Sequence, residues 1–229
     1  MIISYTGLEL PEGKVKYDDP ILNSLAEKDQ PKKVSPTFFE FIKEEFSRSF
    51  AIAVPKMNIL DLLILDMEKI ETRLTRITDD KEIKLLQKCM GFLEKEIPLC
   101  DVQLDVQEKE ILKILSPISL KPTVQLKENE DINAIIQLAM KKANYMFFYT
   151  SHPRETHSWL IPIGTDIITC AGKIHSDLAR GFIKGDVVSF QDYLHHHNFN
   201  DCKTKGIAKT VEKNYIVQFF ILGISYVTL

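Results

Sequence analysis

The sequence has few cysteines, no long hydrophobic run and no strong excess of charge. Its 229 residues include four cysteines, with no CxxC pair among them: Cys89, Cys100, Cys170 and Cys202. This spacing argues against a zinc-ribbon or thioredoxin-like site and favours reduced thiols in a cytoplasmic protein. No basic segment precedes an apolar one near Met1, so no signal peptide is expected. No window has the roughly 18 apolar residues of a membrane span, so no membrane partner is expected.

Charge gives no general attraction to nucleic acid. The net charge is −3, and residues 145–229 carry eight Lys and Arg against seven Asp and Glu. Strong non-specific phosphate binding is therefore not predicted. Seven cations of this segment could still gather on one face: Arg154, Lys173, Arg180, Lys184, Lys203, Lys205 and Lys209.

Sequence motifs for phosphate binding, nucleophilic catalysis and metal binding are also missing. A phosphate-binding Walker A loop needs G-x-x-x-x-G-K-[ST], but Gly7 and Gly13 miss its spacing by one residue and no strand is predicted before Gly7. No serine or cysteine lies in a nucleophile elbow. The three consecutive residues His195–His197 cannot converge on one metal from a helix and predict a solvated helix end. The sequence therefore predicts no catalytic residue and no metal site.

Residues 1–58 are expected to be irregular because prolines interrupt them repeatedly. A turn at residues 18–20 and a short helix over residues 21–26 are predicted. The aromatic and β-branched run from Thr37 to Ile42 predicts one strand.

Residues 59–121 give the clearest periodicity. An apolar seam with heptad spacing predicts one helix through Leu60, Leu63, Met67, Ile70, Leu74 and Ile77, and a second through Ile83, Leu86, Met90, Leu93 and Ile97. Asp79 with Glu82 predicts the start of the second helix, and Pro98 its end. Asp105 with Glu108 starts a third helix that runs to Leu115. The short connection predicts an antiparallel hairpin that packs or binds a protein partner.

Residues 122–229 predict a strand over residues 123–126, a helix over residues 132–142 and then short strands separated by glycine turns. One further helix is expected over residues 190–196, which together indicates an α+β sheet module. His175 beside Asp177 is interpreted as a structural, hydrogen-bonded histidine.

A resemblance to a known family rests on ordered motifs. The positions involved are Glu155, Trp159, Ile161, Gly164-Thr165, Ala171-Gly172, Ile174-His175, Asp177 and Arg180–Ile183, followed by Gly206 and Lys213–Gln218. They resemble the C-terminal TGS domain of the YchF-type Obg-like ATPases. Further motifs similar to that family lie at Asp19–Leu22, Pro31–Val34, Leu65-Asp66, Glu108–Leu115 and Leu120–Pro122. The resemblance covers most of residues 14–218.

The departures concern the nucleotide site of that family. The family's P-loop is absent, and Lys43–Phe46 stands where its Mg²⁺-binding D-x-A-G motif would follow a strand. Glu128 and Asn129 only weakly match its nucleobase-reading motif. Phe219–Ile221 replaces a polar turn, so the final strand is expected to be irregular.

The resemblance implies a degenerate α/β remnant within an α+β architecture. Its parts are a piece of a P-loop nucleotide domain (1–58), a helical hairpin or coiled coil (59–121), a residual strand and helix of the nucleotide domain (122–144) and a β-grasp, ubiquitin-like TGS domain (145–229). The TGS surface candidates are Arg154, His175, Arg180 and Lys184.

The resemblance implies translation-linked association with the ribosome or ribosomal RNA. The family binds and hydrolyses ATP or GTP with Mg²⁺, whereas this chain is expected to hold no cofactor and to act by binding through the hairpin and TGS surfaces. Two alternatives stay open: an active hydrolase whose nucleotide site is missing from the coding sequence or completed by another chain, and an interaction module that does not bind ribosomes.

Overall fold

The computed structural model describes residues 1–127 and 130–218, together with the backbone of residues 220–223. The helices are α1 (Pro20–Asp29), α2 (Ile59–Leu74), α3 (Asp80–Leu93), α4 (Val106–Leu115), α5 (Ile132–Lys142), α6 (Ile167–Ile174), α7 (Ser176–Arg180), α8 (Phe190–Leu194) and α9 (Phe199–Thr204). The strands are β1 (Ile2–Tyr5), β2 (Gly13–Lys16), β3 (Val34–Ser35), β4 (Phe38–Lys43), β5 (Ala51–Pro55), β6 (Thr123–Leu126), β7 (Tyr145–His152), β8 (Glu155–Pro162), β9 (Gly185–Ser189), β10 (Lys209–Val211) and β11 (Phe220–Gly223).

Two compact units divide the chain. Unit 1 contains residues 1–15 and 39–143, and unit 2 contains residues 16–38 and 144–229. This division differs from the four consecutive segments predicted from the sequence, because residues 16–38 belong with the C-terminal part. Within the described residues, no helix is both long and apolar enough to cross a membrane.

Unit 1 is built on a five-stranded sheet in the order β2-β4-β1-β5-β6. Strand β1 pairs in parallel with both β4 and β5, and β5 pairs in parallel with β6. Each residue of β5 from Ala51 to Val54 is fully buried, as expected for an inner strand of a parallel sheet covered on both faces. The unit therefore has the architecture of an open α/β sheet.

The helical hairpin shares one core with this sheet. Ile52 and Val54 of β5 lie in the same buried cluster as residues of α2, α3 and α4, including Leu63, Leu86 and Leu112. The heptad seam predicted for α2 is partly wrong: Leu63 and Ile70 are buried, but Leu60 is 41% exposed. Helix α2 packs against β5 as well as α3, so its buried face is not that of a two-helix seam.

Side-chain caps fix the helix starts of unit 1. Asp105 and Glu108 form the predicted capping box of α4. Asp79 accepts from the N–H of Glu82, but the Glu82 carboxylate binds Arg73 at 2.7 Å and ties α3 to α2. Asp66 of α2 is fully buried and accepts from the backbone N–H groups of residues 118 and 119, at 2.5 and 2.7 Å. This carboxylate fixes a 3-10 turn over Ile118–Leu120 against the hairpin.

Unit 2 contains a six-stranded sheet in the order β10-β9-β11-β7-β8-β3. Strands β7 and β8 form an antiparallel hairpin, and β11 inserts between β7 and β9, parallel to β7. Helices α6 and α7 cover one face, where Cys170 and Leu178 pack on Phe148 and Ile161. A hairpin, a helix and a last strand parallel to the first make up the predicted β-grasp topology.

Residues 16–38 complete unit 2. Strand β3 pairs in parallel with the edge of β8, and α1 packs on β7 and β8. Asp19 caps α1 and accepts from the Tyr149 hydroxyl at 2.9 Å. Tyr17 stacks on Phe147 with ring centroids 5.5 Å apart. The sheet edge at β8 is thereby covered by a segment distant in sequence.

The structure corrects the prediction for the first 58 residues. They are regular rather than irregular, because β1, β2, β3 and β5 join the strand and helix that were predicted there. Strand β1 lies directly before Gly7, where no strand was predicted. The end of the chain was also misjudged: β11 is a regular strand paired on both sides, although Phe219 lies outside the described residues.

Candidate functional site

The carboxyl edge of the parallel sheet in unit 1 opens into a cavity of about 730 Å³. Ligands of open α/β sheets bind at this edge, where the loops after neighbouring strands meet. The cavity is lined by residues that follow β1, β5 and β6, together with Glu96 and two residues near α5: Leu8–Leu10, Pro55–Met57, Leu126-Lys127, Glu130 and Ile135. This edge is the candidate ligand site of unit 1.

The loop after β1 folds back on itself instead of leading into a helix. Only residues 6–12 connect β1 to β2. Gly7 has a φ of +67°, and a Cβ there would lie 3.2 Å from side-chain atoms of both Pro55 and Asn58. The Tyr5 hydroxyl donates to the carbonyl of Leu10 at 2.9 Å. Phosphate binding after a first strand needs a wrapped loop and a helix N-terminus, and this connection contains no helix.

The loop after β4 is equally closed. Glu44 has a left-handed backbone with φ 56°, and its N–H donates to the carbonyl of Tyr5 at 2.9 Å. Its carboxylate accepts from the Thr6 hydroxyl at 3.1 Å. Lys121 donates to the carbonyls of Phe46, Ser47 and Ser49 and so fixes the rest of the connection. This segment is held by internal hydrogen bonds.

The charges around the cavity disfavour a polyphosphate. Three carboxylates line it, from Glu9, Glu96 and Glu130, against two ammonium groups from Lys56 and Lys127. A net negative lining repels an anion. The described residues contain no group of three or more His, Cys, Asp or Glu side chains placed to hold a metal ion. The weak nucleobase candidates Glu128 and Asn129 lie outside the described residues.

Comparison with known proteins identifies the family that this chain resembles. Residues 145–219 match the family YchF-GTPase_C, described as a protein of unknown function (DUF933). A relative from Mycoplasma genitalium, named ribosome-binding ATPase YchF, is 30% identical over 167 residues, which cover 73% of this chain and 42% of the relative. The protein of the same name from Escherichia coli O157:H7 is 23% identical over 316 positions, covering 92% of this chain and 87% of the relative.

The chain is a YchF-type Obg-like homologue. The structure of the Schizosaccharomyces pombe YchF GTPase matches it with a TM-score of 0.73 at 18% identity, covering 96% of this chain and 89% of that chain. The YchF fold therefore extends over both units.

This YchF homologue is shorter than the relatives it matches. It spans 64% of the length of a relative from Buchnera aphidicola subsp. Schizaphis graminum, also named ribosome-binding ATPase YchF, to which it is 25% identical. The match to the Escherichia coli YchF extends over 316 positions although the chain has 229 residues. The relative thus carries internal segments that this chain lacks. In this chain the connections β1–β2 and β4–β5 comprise only residues 6–12 and 44–50.

The surface candidates of unit 2 lie in different settings. His175 is the N-cap of α7: its Nδ1 accepts from the N–H of Asp177 at 3.2 Å. Arg180 pairs with Asp177 at 2.7 Å. Arg154 lies at the exposed tip of the β7–β8 hairpin, and Lys184 is exposed just before β9. His175 thus has the structural role interpreted from the sequence.

The remaining cations of unit 2 are partly engaged. Lys203 pairs with Asp186 at 2.7 Å and Lys205 with Asp201 at 3.1 Å, while Lys209 lies over the ring of Tyr215. These contacts anchor three of the seven cations in local structure and reduce the charge available for a phosphate backbone.

Two other notable groups of unit 2 are structural. The Trp159 indole N–H donates to Thr150 at 3.0 Å, and its ring stacks on His157 at a centroid distance of 3.7 Å. At the end of α8, the Nδ1 atoms of His195 and His196 lie 2.7 and 2.6 Å from backbone carbonyl oxygens. The histidine run is therefore a helix end, as predicted.

The buried hydrogen bond from the Tyr149 hydroxyl to the Asp19 carboxylate is not predicted from the sequence. Both are buried, and burial raises the pKa of the Asp19 carboxyl. Burial and the neighbouring carboxylate also raise the pKa of Tyr149, which keeps its hydroxyl protonated as the donor. The Asp-Pro pair before an apolar run indicates that Asp19 is a helix N-cap. The sequence does not indicate its distant partner, Tyr149.

Proposed function

We propose that this YchF-type homologue does not hydrolyse nucleotide and acts as a cytoplasmic, translation-linked binding protein. Its binding surfaces are the helical hairpin of unit 1 and the β-grasp (TGS) part of unit 2, and its partner is the ribosome. The observation that carries the proposal is the connection from β1 to β2, which comprises residues 6–12 and contains no helix.

Phosphoryl transfer depends on positioning and charge neutralisation around the transferred group. The loop after β1 offers no Lys followed by Ser or Thr for phosphate and Mg²⁺, and the loop after β4 offers Lys43–Phe46 instead of D-x-A-G. The residues present therefore do not fit ATP or GTP with Mg²⁺.

The ribosome is proposed as the partner because of how the relatives are named. Several are named ribosome-binding ATPase YchF, and the matched segment 145–219 corresponds to the retained unit 2. A binding role can persist without hydrolysis because it depends on the surfaces of folded units, and both units keep buried cores.

Calorimetric titration of the full chain with ATP and GTP in the presence of Mg²⁺ tests the first part. We expect no saturable binding at micromolar protein and no phosphate release. Micromolar affinity with Mg²⁺-dependent turnover would overturn the proposal in favour of an active hydrolase.

Sedimentation with ribosomal particles at several salt concentrations tests the second part. We expect co-sedimentation that weakens as salt rises, and further weakening in the double variant R154E/K184E. The charge-matched control is the double variant K14E/K43E, which changes two exposed lysines of unit 1. Absence of co-sedimentation at low salt would leave an interaction module without ribosome binding.

A further inference from the structure

A lysine at the amino end of the parallel sheet in unit 1 binds three backbone carbonyls at once. The ammonium of Lys121 donates to the carbonyl oxygens of Phe46, Ser47 and Ser49 at 2.7, 2.7 and 2.9 Å. Lys121 lies two residues before β6, so this cluster is at the opposite end of the strands from the carboxyl-edge cavity. None of the four residues lines that cavity. The cluster is therefore separate from the candidate ligand site.

The three carbonyls come from one short segment of the loop after β4. A 3-10 turn covers Phe46–Arg48, and Ser49 is its C-cap. Carbonyls at the end of a helical turn have no further backbone partners within the turn. Ser49 closes the turn, since its N–H and its hydroxyl donate to the carbonyl of Phe46 at 3.4 and 2.9 Å. The turn therefore directs three carbonyl oxygens to a single point.

The backbone of Lys121 is fixed from two other elements. The 3-10 turn Ile118–Leu120 precedes it, and the buried carboxylate of Asp66 on α2 holds the start of that turn. The N–H of Lys121 donates to the carbonyl of Ile118 at 3.1 Å, and its carbonyl accepts from the hydroxyl of Thr123 in β6 at 2.9 Å. The side chain thus reaches from a backbone fixed by α2 and β6 to the loop after β4.

The partners of this ammonium are those of a monovalent cation site. An ammonium group has three donors, and each of them meets one carbonyl. Within the described residues, no ion pair joins Lys121 to a carboxylate. Neutral carbonyl oxygens replace the hydration shell of K⁺ in selective sites, whereas Ca²⁺ takes carboxylates and Mg²⁺ keeps several waters. Burial lowers the pKa of Lys121, so the ammonium is partly withdrawn from water and depends on these oxygens.

We propose that the carbonyl oxygens of Phe46, Ser47 and Ser49 form a binding site for a monovalent cation, with the ammonium of Lys121 as its tethered occupant. The charge of this occupant holds the loop after β4 in place. A free cation can replace the ammonium in a variant without it, because Phe46, Ser47 and Lys121 also line a cavity of about 920 Å³ that provides an entry path. The assignment does not depend on the proposed function.

Hydrogen exchange of residues 44–50 in the full chain, followed by mass spectrometry, tests the proposal. The salts compared are KCl and N-methylglucamine chloride at equal ionic strength. In the wild type we expect the same exchange rate in both, because the lysine fills the site. In Lys121→Met, which removes the ammonium, exchange should rise about tenfold in N-methylglucamine. A saturating concentration of K⁺ should then slow it about fivefold.

Two further variants separate a cation site from ordinary hydrogen bonding. Lys69→Met is the matched control: Lys69 lines the same cavity, but its ammonium donates to a single carbonyl, that of Ser116, at 3.0 Å. We expect no K⁺ dependence in K69M. Lys121→Gln keeps an N–H donor without the charge, and we expect the loop of K121Q to exchange faster than that of the wild type. If K121M folds only in K⁺, circular dichroism against K⁺ concentration measures the same site.

Loop exchange in K121M that is equally fast in K⁺ and in N-methylglucamine would overturn the proposal. The same holds if Mg²⁺ at equal ionic strength slows exchange as much as K⁺, since the effect would then be general screening. A wild-type exchange rate in K121Q would show that hydrogen bonding suffices without a cation. Failure of K121M to fold in either salt would mean that K⁺ cannot occupy the site, which also contradicts the assignment.

Discussion

The two units of this chain retain different features of the YchF fold. In unit 1 strands β4, β1, β5 and β6 are paired in parallel, and the connections after β1 and β4 are short, internally bonded loops. In unit 2 the β-grasp sheet has its hairpin, helix and central last strand, and residues 16–38 add an edge strand and a helix. The short connections of unit 1 thus lie at the edge where ligands of open α/β sheets bind.

This difference between the units distinguishes the residues that stabilise the sheet from the residues that a nucleotide site would require. Strands β1 and β5 remain because Ile3, Tyr5 and Ala51–Val54 are core residues, and their loss would open the sheet. A phosphate loop contributes charge and exposed N–H groups rather than core, so its removal leaves the packing intact. The fold of a solved relative at 18% identity is therefore present in a chain whose β1–β2 connection contains no helix.

The largest effect is expected at Asp66 in unit 1. Replacing Asp66 with Ala removes the acceptor of two N–H groups, of which that of Ser119 is buried, and should cost about 3 kcal/mol of unfolding free energy. Urea unfolding followed by far-ultraviolet circular dichroism measures it. Asp61→Ala, an exposed position on the same helix, should change stability by less than about 0.5 kcal/mol. Similar losses in both variants would mean that the hairpin does not depend on this anchor.

Asp19 tests whether residues 16–38 are an integral part of unit 2. Asp19→Ala removes the cap of α1 and leaves the Tyr149 hydroxyl without its acceptor, at a cost of about 2 to 3 kcal/mol. The fluorescence of Trp159, the single tryptophan, reports unfolding of unit 2. Asp18→Ala, at the exposed neighbouring position, is the control. An unchanged Trp159 transition in D19A would separate residues 16–38 from the stability of unit 2.

The same residue predicts a pH dependence. Burial raises the folded-state pKa of Asp19 above its unfolded value, so its contribution to stability is fully present below the unfolded pKa and is lost as pH rises through the folded pKa. Asp19→Asn keeps a cap and an acceptor without titrating. The unfolding free energy of the wild type, relative to D19N, should therefore increase as pH falls from neutral toward the ordinary carboxyl range. A constant or decreasing difference would contradict the burial argument.

Gly7 tests whether the loop after β1 is a closed structure. Gly7→Ala places a methyl group 3.2 Å from Pro55 and Asn58 at a left-handed φ and should cost about 1 to 2 kcal/mol. Gly164→Ala has a similar φ of +89° but open space around its Cβ, and should cost only about 1 kcal/mol. Urea unfolding of both variants compares the two. A smaller loss for G7A than for G164A would show that the loop moves away freely.

Much of the fold could be predicted from the sequence where the pattern is local. Strand β6 and helix α5 have the predicted bounds, and the capping box at Asp105 and Glu108 is confirmed. Strands β1 and β5 were missed because Ile2–Tyr5 and Ala51–Pro55 are short runs among prolines and glycines. Their identity as inner strands depends on partners distant in sequence, which no local pattern reveals.

From the sequence alone, the candidate site could be described only by the nucleotide-binding motifs that it lacks. The missing phosphate motif was visible in the sequence, whereas the cavity at the carboxyl edge required strands β1, β5 and β6 to be brought together. The attachment of residues 16–38 to unit 2 rests on Asp19–Tyr149 and Tyr17–Phe147, pairs more than a hundred residues apart. Such pairings are set by tertiary packing rather than by propensity.

The smallest effect is expected at His175 and sharpens the assignment of unit 2 as a binding surface. His175 caps α7 from an exposed position, so His175→Ala should cost no more than about 1 kcal/mol. Because its ring is used within the unit, we expect ribosome co-sedimentation to stay within about twofold of the wild type. His175→Asn, which preserves a capping acceptor, should restore most of the stability. If H175A abolishes co-sedimentation while H175N is equally inactive and fully stable, the imidazole itself contacts the partner, and the site of unit 2 is centred on α7.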